Sequence, residues 1–155
     1  MTNDAREFIS YLQNNGVIIT NMSDKEEEAY RQEWFERVVP CDKRQKAIDS
    51  YCFDKDGCGG YLWHVFSFEI LDYIELDKAV ETFDNLPKQD AVLLMNWGDI
   101  DGITSCRLKN ISAIKAKYLD LLSDVILTDE KFEWLYVKTH ETGMCGPYFH
   151  WVQGA

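Results

Sequence analysis

Residues 132–152 read FEWLYVKTHETGMCGPYFHWV. Alternation divides this stretch into an incoming strand, 132–140, and a return strand, 147–152. Trp134, Tyr136, Lys138 and His140 share one face of the first. Tyr148, His150 and Val152 share one face of the second, and Phe149 and Trp151 share the other. Gly143 and Gly146 supply positive φ where the chain turns. Pro147 lacks an N–H and suits the first residue of the return strand. Thr139 and Glu141 are expected to hydrogen-bond loop amides. The expected unit is a hairpin, and it sets an antiparallel sheet.

Outward from there, AVLLMNW (91–97) and ITSCRL (103–108), joined by GDIDG, predict a second hairpin. YLWHVFSF (61–68) is apolar on both alternating faces, so it reads as a central strand covered on both sides. A breaker, DKDGCGG (54–60), precedes it. VII (17–19) is a short strand.

Helices fall between these runs. Phe8, Ile9 and Leu12 make an apolar stripe over residues 3–15, stopped by Gly16. Ser23 and Glu26 make a capping box, with acidic residues in the first turn where the helix dipole favours them. Tyr30, Trp34, Phe35 and Val38 line one face, and Pro40 ends the helix. Residues 44–53 read as a helix or turn. Leu76, Ala79, Val80 and Phe83 line a short helix closed before Pro87. Asn110 is expected to cap a longer one with Ile111, Ile114, Tyr118, Leu121, Leu122 and Val125 on one face, although VILT (125–128) reads equally as a strand. Helices that precede, interrupt and follow antiparallel hairpins predict an α+β fold, a mostly antiparallel sheet with amphipathic helices packed on it. The 155 residues fit a single globular domain, 1–155, that buries roughly 70% of its unfolded surface.

The chain holds 27 Asp+Glu against 16 Lys+Arg, a net charge of −11. Nucleic-acid binding needs a basic footprint, and Lys43-Arg44-Gln45-Lys46 is too short to be one. Anionic membranes are disfavoured on the same ground. The acidic balance reads first as solubility, since net charge keeps small proteins apart, and the sharper reading is a basic protein partner steered electrostatically. The first fifteen residues carry Asp4, Arg6 and Glu7 and no apolar signal core, which predicts a cytoplasmic protein. Cys41, Cys52, Cys58, Cys106 and Cys145 are then expected as thiols.

Three chemistries compete for the loop. Asp54-Lys55-Asp56-Gly57 and Asp99-Ile100-Asp101-Gly102 hint at calcium, but neither has the ligands an EF-hand needs at its first and twelfth positions. Both read as turns. His140, Cys145 and His150 are spaced by five rather than in the tight pairs of zinc sites, and a fourth ligand, such as His64, would have to come from far away, so no metal and no cofactor is expected. A nucleophilic site would use Cys145, a base at His140 or His150, and Glu141 behind that base, with His64 nearby. Against this, Cys145 between Met144 and Gly146 reads as a packed thiol, and His64 as a core histidine. No phosphate loop, GxSxG elbow or HExxH is present in the sequence.

YLWHVFSFE (61–69), FEWLYVKTHE (132–141) and CGPYF (145–149), behind the Trp34-Phe35 helix, resemble a family of small bacterial proteins known only as a domain of unknown function. The likeness runs from about residue 30 to 150. It puts Trp63, His64, Trp134, Thr139, His140, Glu141, Cys145, Gly146, Pro147, Tyr148 and Phe149 on motif positions, and implies no activity. The function expected is a non-enzymatic, acidic interaction domain of the immunity or inhibitor kind. The binding residues expected are Trp63, His64, Trp134, His140, Glu141, Tyr148 and His150. The alternative is a small enzyme or ligand-binding domain. Its candidates are His140, Glu141, Cys145 and His64.

Overall fold

A computed structural model describes residues 2–50, 62–95 and 105–152. Both DxDG stretches, Cys52, Cys58, the 54–60 breaker and the 98–102 turn lie outside the described residues. The fold is α+β. Among the described residues six helices pack on a seven-stranded sheet of order β1-β4-β3-β5-β6-β7-β2, with every neighbouring pair antiparallel. The strands are β1 (Ile18–Asn21), β2 (Ile74–Glu75), β3 (Asp90–Met95), β4 (Ser105–Lys109), β5 (Val125–Asp129), β6 (Trp134–Lys138) and β7 (Tyr148–Trp151). The helices are α1 (Asn3–Asn14), α2 (Asp24–Val38), α3 (Arg44–Asp49), α4 (His64–Ser67), α5 (Leu76–Asn85) and α6 (Ala116–Leu119). No helix among the described residues is long and apolar enough to cross a membrane.

The sheet separates two cores. Leu93, Met95, Leu108, Leu127, Trp134, Tyr136 and Phe149 face α1, α5 and α6. Val92, Leu94, Ile126, Leu135, Val137 and Tyr148 face α2, α3 and α4. Strand alternation therefore feeds both layers, and the central strands are apolar on both faces over most of their length because each face has its own helices. A fully buried Phe such as Phe8 or Phe83 contributes about 1.5–3 kcal/mol from burial.

Local chemistry sets the helix ends. Thr2 accepts from the Ala5 N–H at 3.0 Å at the start of α1. Gly16, at φ 72°, closes it, with Gly16 N–H to the Gln13 carbonyl and Val17 N–H to the Leu12 carbonyl. Ser23 and Glu26 form the reciprocal capping box of α2 at 3.1 and 3.2 Å. Trp34 fixes α2 to the sheet by donating its indole N–H to Thr128 Oγ1 at 2.9 Å.

Three expectations are corrected. The described part of 61–68 is not a strand: Leu62, Val65 and Phe66 bury a helical spacing as α4 begins. Glu69, at φ 55°, stops that helix, with its own N–H bonded to the Phe66 carbonyl and that of Ile70 to the Val65 carbonyl. An apolar run bulky on every side fits either period, and its place on a sheet face selected the helix. Asn110 does not cap a long helix. It sits at φ 66°, and residues 111–122 wind mostly through i to i+3 bonds, Ile114 to Ile111 and Leu122 to Leu119 among them. Those turns bury Ile111, Ile114, Leu119 and Leu122 as a helix would, and VILT is β5. Leu76 is exposed at φ 57° rather than part of the buried stripe of α5, because its N–H is bound to the Pro147 carbonyl.

Candidate functional site

The loop from β6 to β7 is tied to itself. Thr139 Oγ1 donates to the Cys145 carbonyl and accepts from the Glu141 N–H at 3.2 Å. The Met144 and Cys145 amides both donate to the Glu141 carbonyl, at 2.9 and 2.8 Å. Gly143 (φ 94°) and Gly146 (φ 89°) turn the chain, and the Gly143 N–H donates to the Gly146 carbonyl at 3.1 Å. The peptide Gly146–Pro147 is cis. Glu141 thus serves the loop through its backbone, and its side chain lies against the Cys145 thiol instead.

Beside this loop sits a carboxylate that sequence reasoning missed. Asp124, 2% exposed, accepts from the His140 N–H at 2.8 Å and from His140 Nδ1 at 2.9 and 3.1 Å. A carboxylate acceptor places the ring proton on Nδ1 and leaves Nε2 as the basic nitrogen. The His140 side chain is 49% exposed. Lys138 holds the approach to Asp124 in place by donating Nζ to the Leu122 and Ser123 carbonyls. The only sequence signal for Asp124 was a carboxylate immediately ahead of the apolar VILT run.

Trp63 leans on this pair. Its ring is 6.4 Å from that of His140, edge-on, and 4.0 Å from that of His64. His64 Nδ1 is 2.8 Å from Ser67 Oγ. Burial lowers the His64 pKa, and the Glu141 and Asp124 carboxylates oppose that shift. Cys145 moves the other way: burial, then the hydrogen bond and charge of Glu141, push its thiol up. Tyr148, beside Cys145, is pushed up to about 12, mainly by burial. A reactive cysteine needs the opposite shift, so this thiol is held as a thiol.

Of the expected residues, the fold gathers Trp63, His64, His140, Glu141, Cys145 and Tyr148 around one loop. Trp134 does not join them: it lies in the other core, stacked 6.2 Å from Phe149. His150 stands apart, its Nδ1 bound to the Asp72 carbonyl at 2.6 Å. Among the described residues no three His, Cys, Asp or Glu side chains converge as metal ligands.

No curated protein matches the chain, and no solved structure does. One family does match, over residues 6–149, and so the chain belongs to the family described as a domain of unknown function, DUF4275.

Proposed function

We propose that this protein is an acidic interaction domain that receives a basic protein partner on the β7–β2 side of its sheet. One observation carries the reading. Of the large apolar side chains exposed among the described residues, only Ile18 lies on β1 at the opposite edge; Phe68, Leu76, Met144 and Trp151 belong to segments 62–77 and 139–152. Those two segments also carry Glu69, Asp72, Glu75, Asp77 and Glu141, and no Lys or Arg. Exposed apolar side chains interleaved with one sign of charge are the composition of a docking face for a partner of opposite sign. The free thiols of Cys41, Cys106 and Cys145 support a cytoplasmic, reducing home, and an immunity or inhibitor role fits a small domain that neutralises a basic target.

The test is capture from native lysate at low and high salt with the wild type and a Glu69→Lys/Glu75→Lys variant. The expected result is a basic protein held by the wild type at low salt, with association slowed by salt and lost in the variant. A partner retained equally by both proteins overturns the reading.

A second reading has its own observation. Asp124 presents His140 as an oriented base, the arrangement used in proton transfer. On that reading His140 does the chemistry, and Cys145, whose thiol is pushed up, does not. Turnover that survives Cys145→Ser and is lost in His140→Gln supports it.

A further inference from the structure

His150 is the buried histidine that the loop does not use. Its side chain is 4% exposed, and it lies on the floor of a hollow of about 380 Å3 lined also by Glu36–Pro40, Lys43, Leu71 and Asp72. The Asp72 carbonyl, 2.6 Å from Nδ1, can only accept, so Nδ1 carries the proton. Nε2 is then a lone-pair acceptor, and among the described residues it has no hydrogen-bond partner.

The other polar atoms of the hollow are largely committed. The Arg44 guanidinium takes the Glu36 and Val39 carbonyls at 2.6 and 3.1 Å. Arg37 reaches Glu33 at 3.5 Å and lies over the Phe132 ring at 4.8 Å. The walls, Val38, Val39, Pro40 and Leu71, are apolar. An occupant therefore needs a donor at its tip and a hydrocarbon stem behind it. The lining sets Glu36 and Asp72 against Arg37 and Lys43, with Arg37 drawn to Glu33 and the Phe132 ring, and the chain's −11 tips the choice toward a cation. Among the described lining residues, exposed Lys43 is the cation opposing it that is not drawn to a carboxylate or ring. An anion would meet the Nε2 lone pair, and burial lowers the His150 pKa, which resists the protonation an anion would need.

We propose that this hollow anchors a lysine side chain of the basic partner, its ammonium donating to His150 Nε2 and its methylenes lying along Val38, Val39, Pro40 and Leu71. The inference rests on the basic-partner reading above. Asp72 and His150 also line a second hollow, of about 350 Å3, with Tyr73, Phe149 and Trp151, so the anchor adjoins the acidic edge. A point donor on a flexible stem fits a narrow apolar hollow better than the planar fork of arginine.

The test uses the intact protein and Nα-acetyl-lysine methylamide, with the norleucine analogue as the uncharged control. Imidazole nitrogen resonances are read by NMR at low salt. The lysine probe should shift His150 Nε2 saturably, with a Kd on the order of 1 mM, and the norleucine probe should not. Lys43→Glu, at an exposed position, should tighten the lysine probe about 3-fold, and His150→Phe should abolish its binding. Equal shifts from both probes, or no tightening in Lys43→Glu, overturn the proposal even if His150→Phe does not fold. Polylysine separates the two readings. Salt-sensitive polylysine binding with no shift at His150 sinks the anchor and leaves the acidic edge; polylysine binding that shifts His150 and survives Glu69→Lys/Glu75→Lys keeps the hollow and sinks the edge.

Discussion

Trp34 Nε1 donates to Thr128 Oγ1 at 2.9 Å across the interface between α2 and β5, with both residues fully buried. That bond joins a helix to a strand 94 residues away in sequence. Thr128→Val keeps the shape and leaves the indole N–H unpaired, which should cost about 1–3 kcal/mol. Trp34→Ala should cost about 3–5 kcal/mol, because it also opens a cavity. Urea unfolding of both variants checks the order, and equal losses would show that the hydrogen bond carries no separate weight.

Asp124 should behave as the residue that sets the His140 ring. In the deprotonated ring of the wild type, NMR should find the remaining proton on Nδ1. Asp124→Ala should mix the tautomers and cost about 1–3 kcal/mol, since a backbone N–H loses its acceptor as well. A wild-type ring protonated at Nε2 would contradict the Asp124 geometry.

Cysteine reactivity should follow environment. With iodoacetamide at neutral pH, exposed Cys41 should react first, Cys145 more slowly, and buried Cys106, whose thiol burial pushes up to about 12, only on unfolding. Peptide mass spectrometry over time resolves the three. Cys145 alkylated ahead of Cys41 would revive it as a nucleophile.

Acid should destabilise the fold through His64 and His150. Burial lowers both pKa values below the unfolded value of about 6.5. The unfolded chain therefore binds more protons just below that pH. The stabilising contribution is complete above it and is lost as pH falls through the folded values. Melting temperatures should drop from about pH 6.5 downward, less steeply in His150→Gln. A flat profile across that range would count against the burial of both rings.

Gly143 and Gly146 separate backbone strain from crowding. Both have positive φ, but a Cβ on Gly143 meets open space, whereas one on Gly146 comes 3.2 Å from the Tyr148 ring. Gly143→Ala should cost about 1 kcal/mol and Gly146→Ala about 1–3 kcal/mol, read by chemical denaturation. The reverse ranking would mean that Tyr148 gives way freely.

What the amino-acid order determined by itself was local. The Ser23–Glu26 box, the Gly16 stop, the hairpin at 132–152 and the alternation of its faces each follow from neighbours within a few residues. The antiparallel α+β class follows from the order of those units. The family likeness was read from short motifs, and the family match itself spans residues 6–149. The acidic balance needs no fold at all.

Tertiary structure decided what depends on partners distant in sequence. Residues 62–67 carry apolar side chains in every direction, so period alone left their form open, and packing on the face of β5, β6 and β7 made them a helix. The 111–122 stripe is buried by turns, and the Asp84 carboxylate accepts from the Ala116 N–H at 2.8 Å where the short α6 begins. Asp124 meets His140 because β5 and β6 pair Val125 with Lys138. His150 meets the Asp72 carbonyl because β2 and β7 pair Ile74 with Phe149. A hydrogen bond between residues 16 or 78 apart leaves no periodic trace along the chain; only the closed sheet brings such groups within reach.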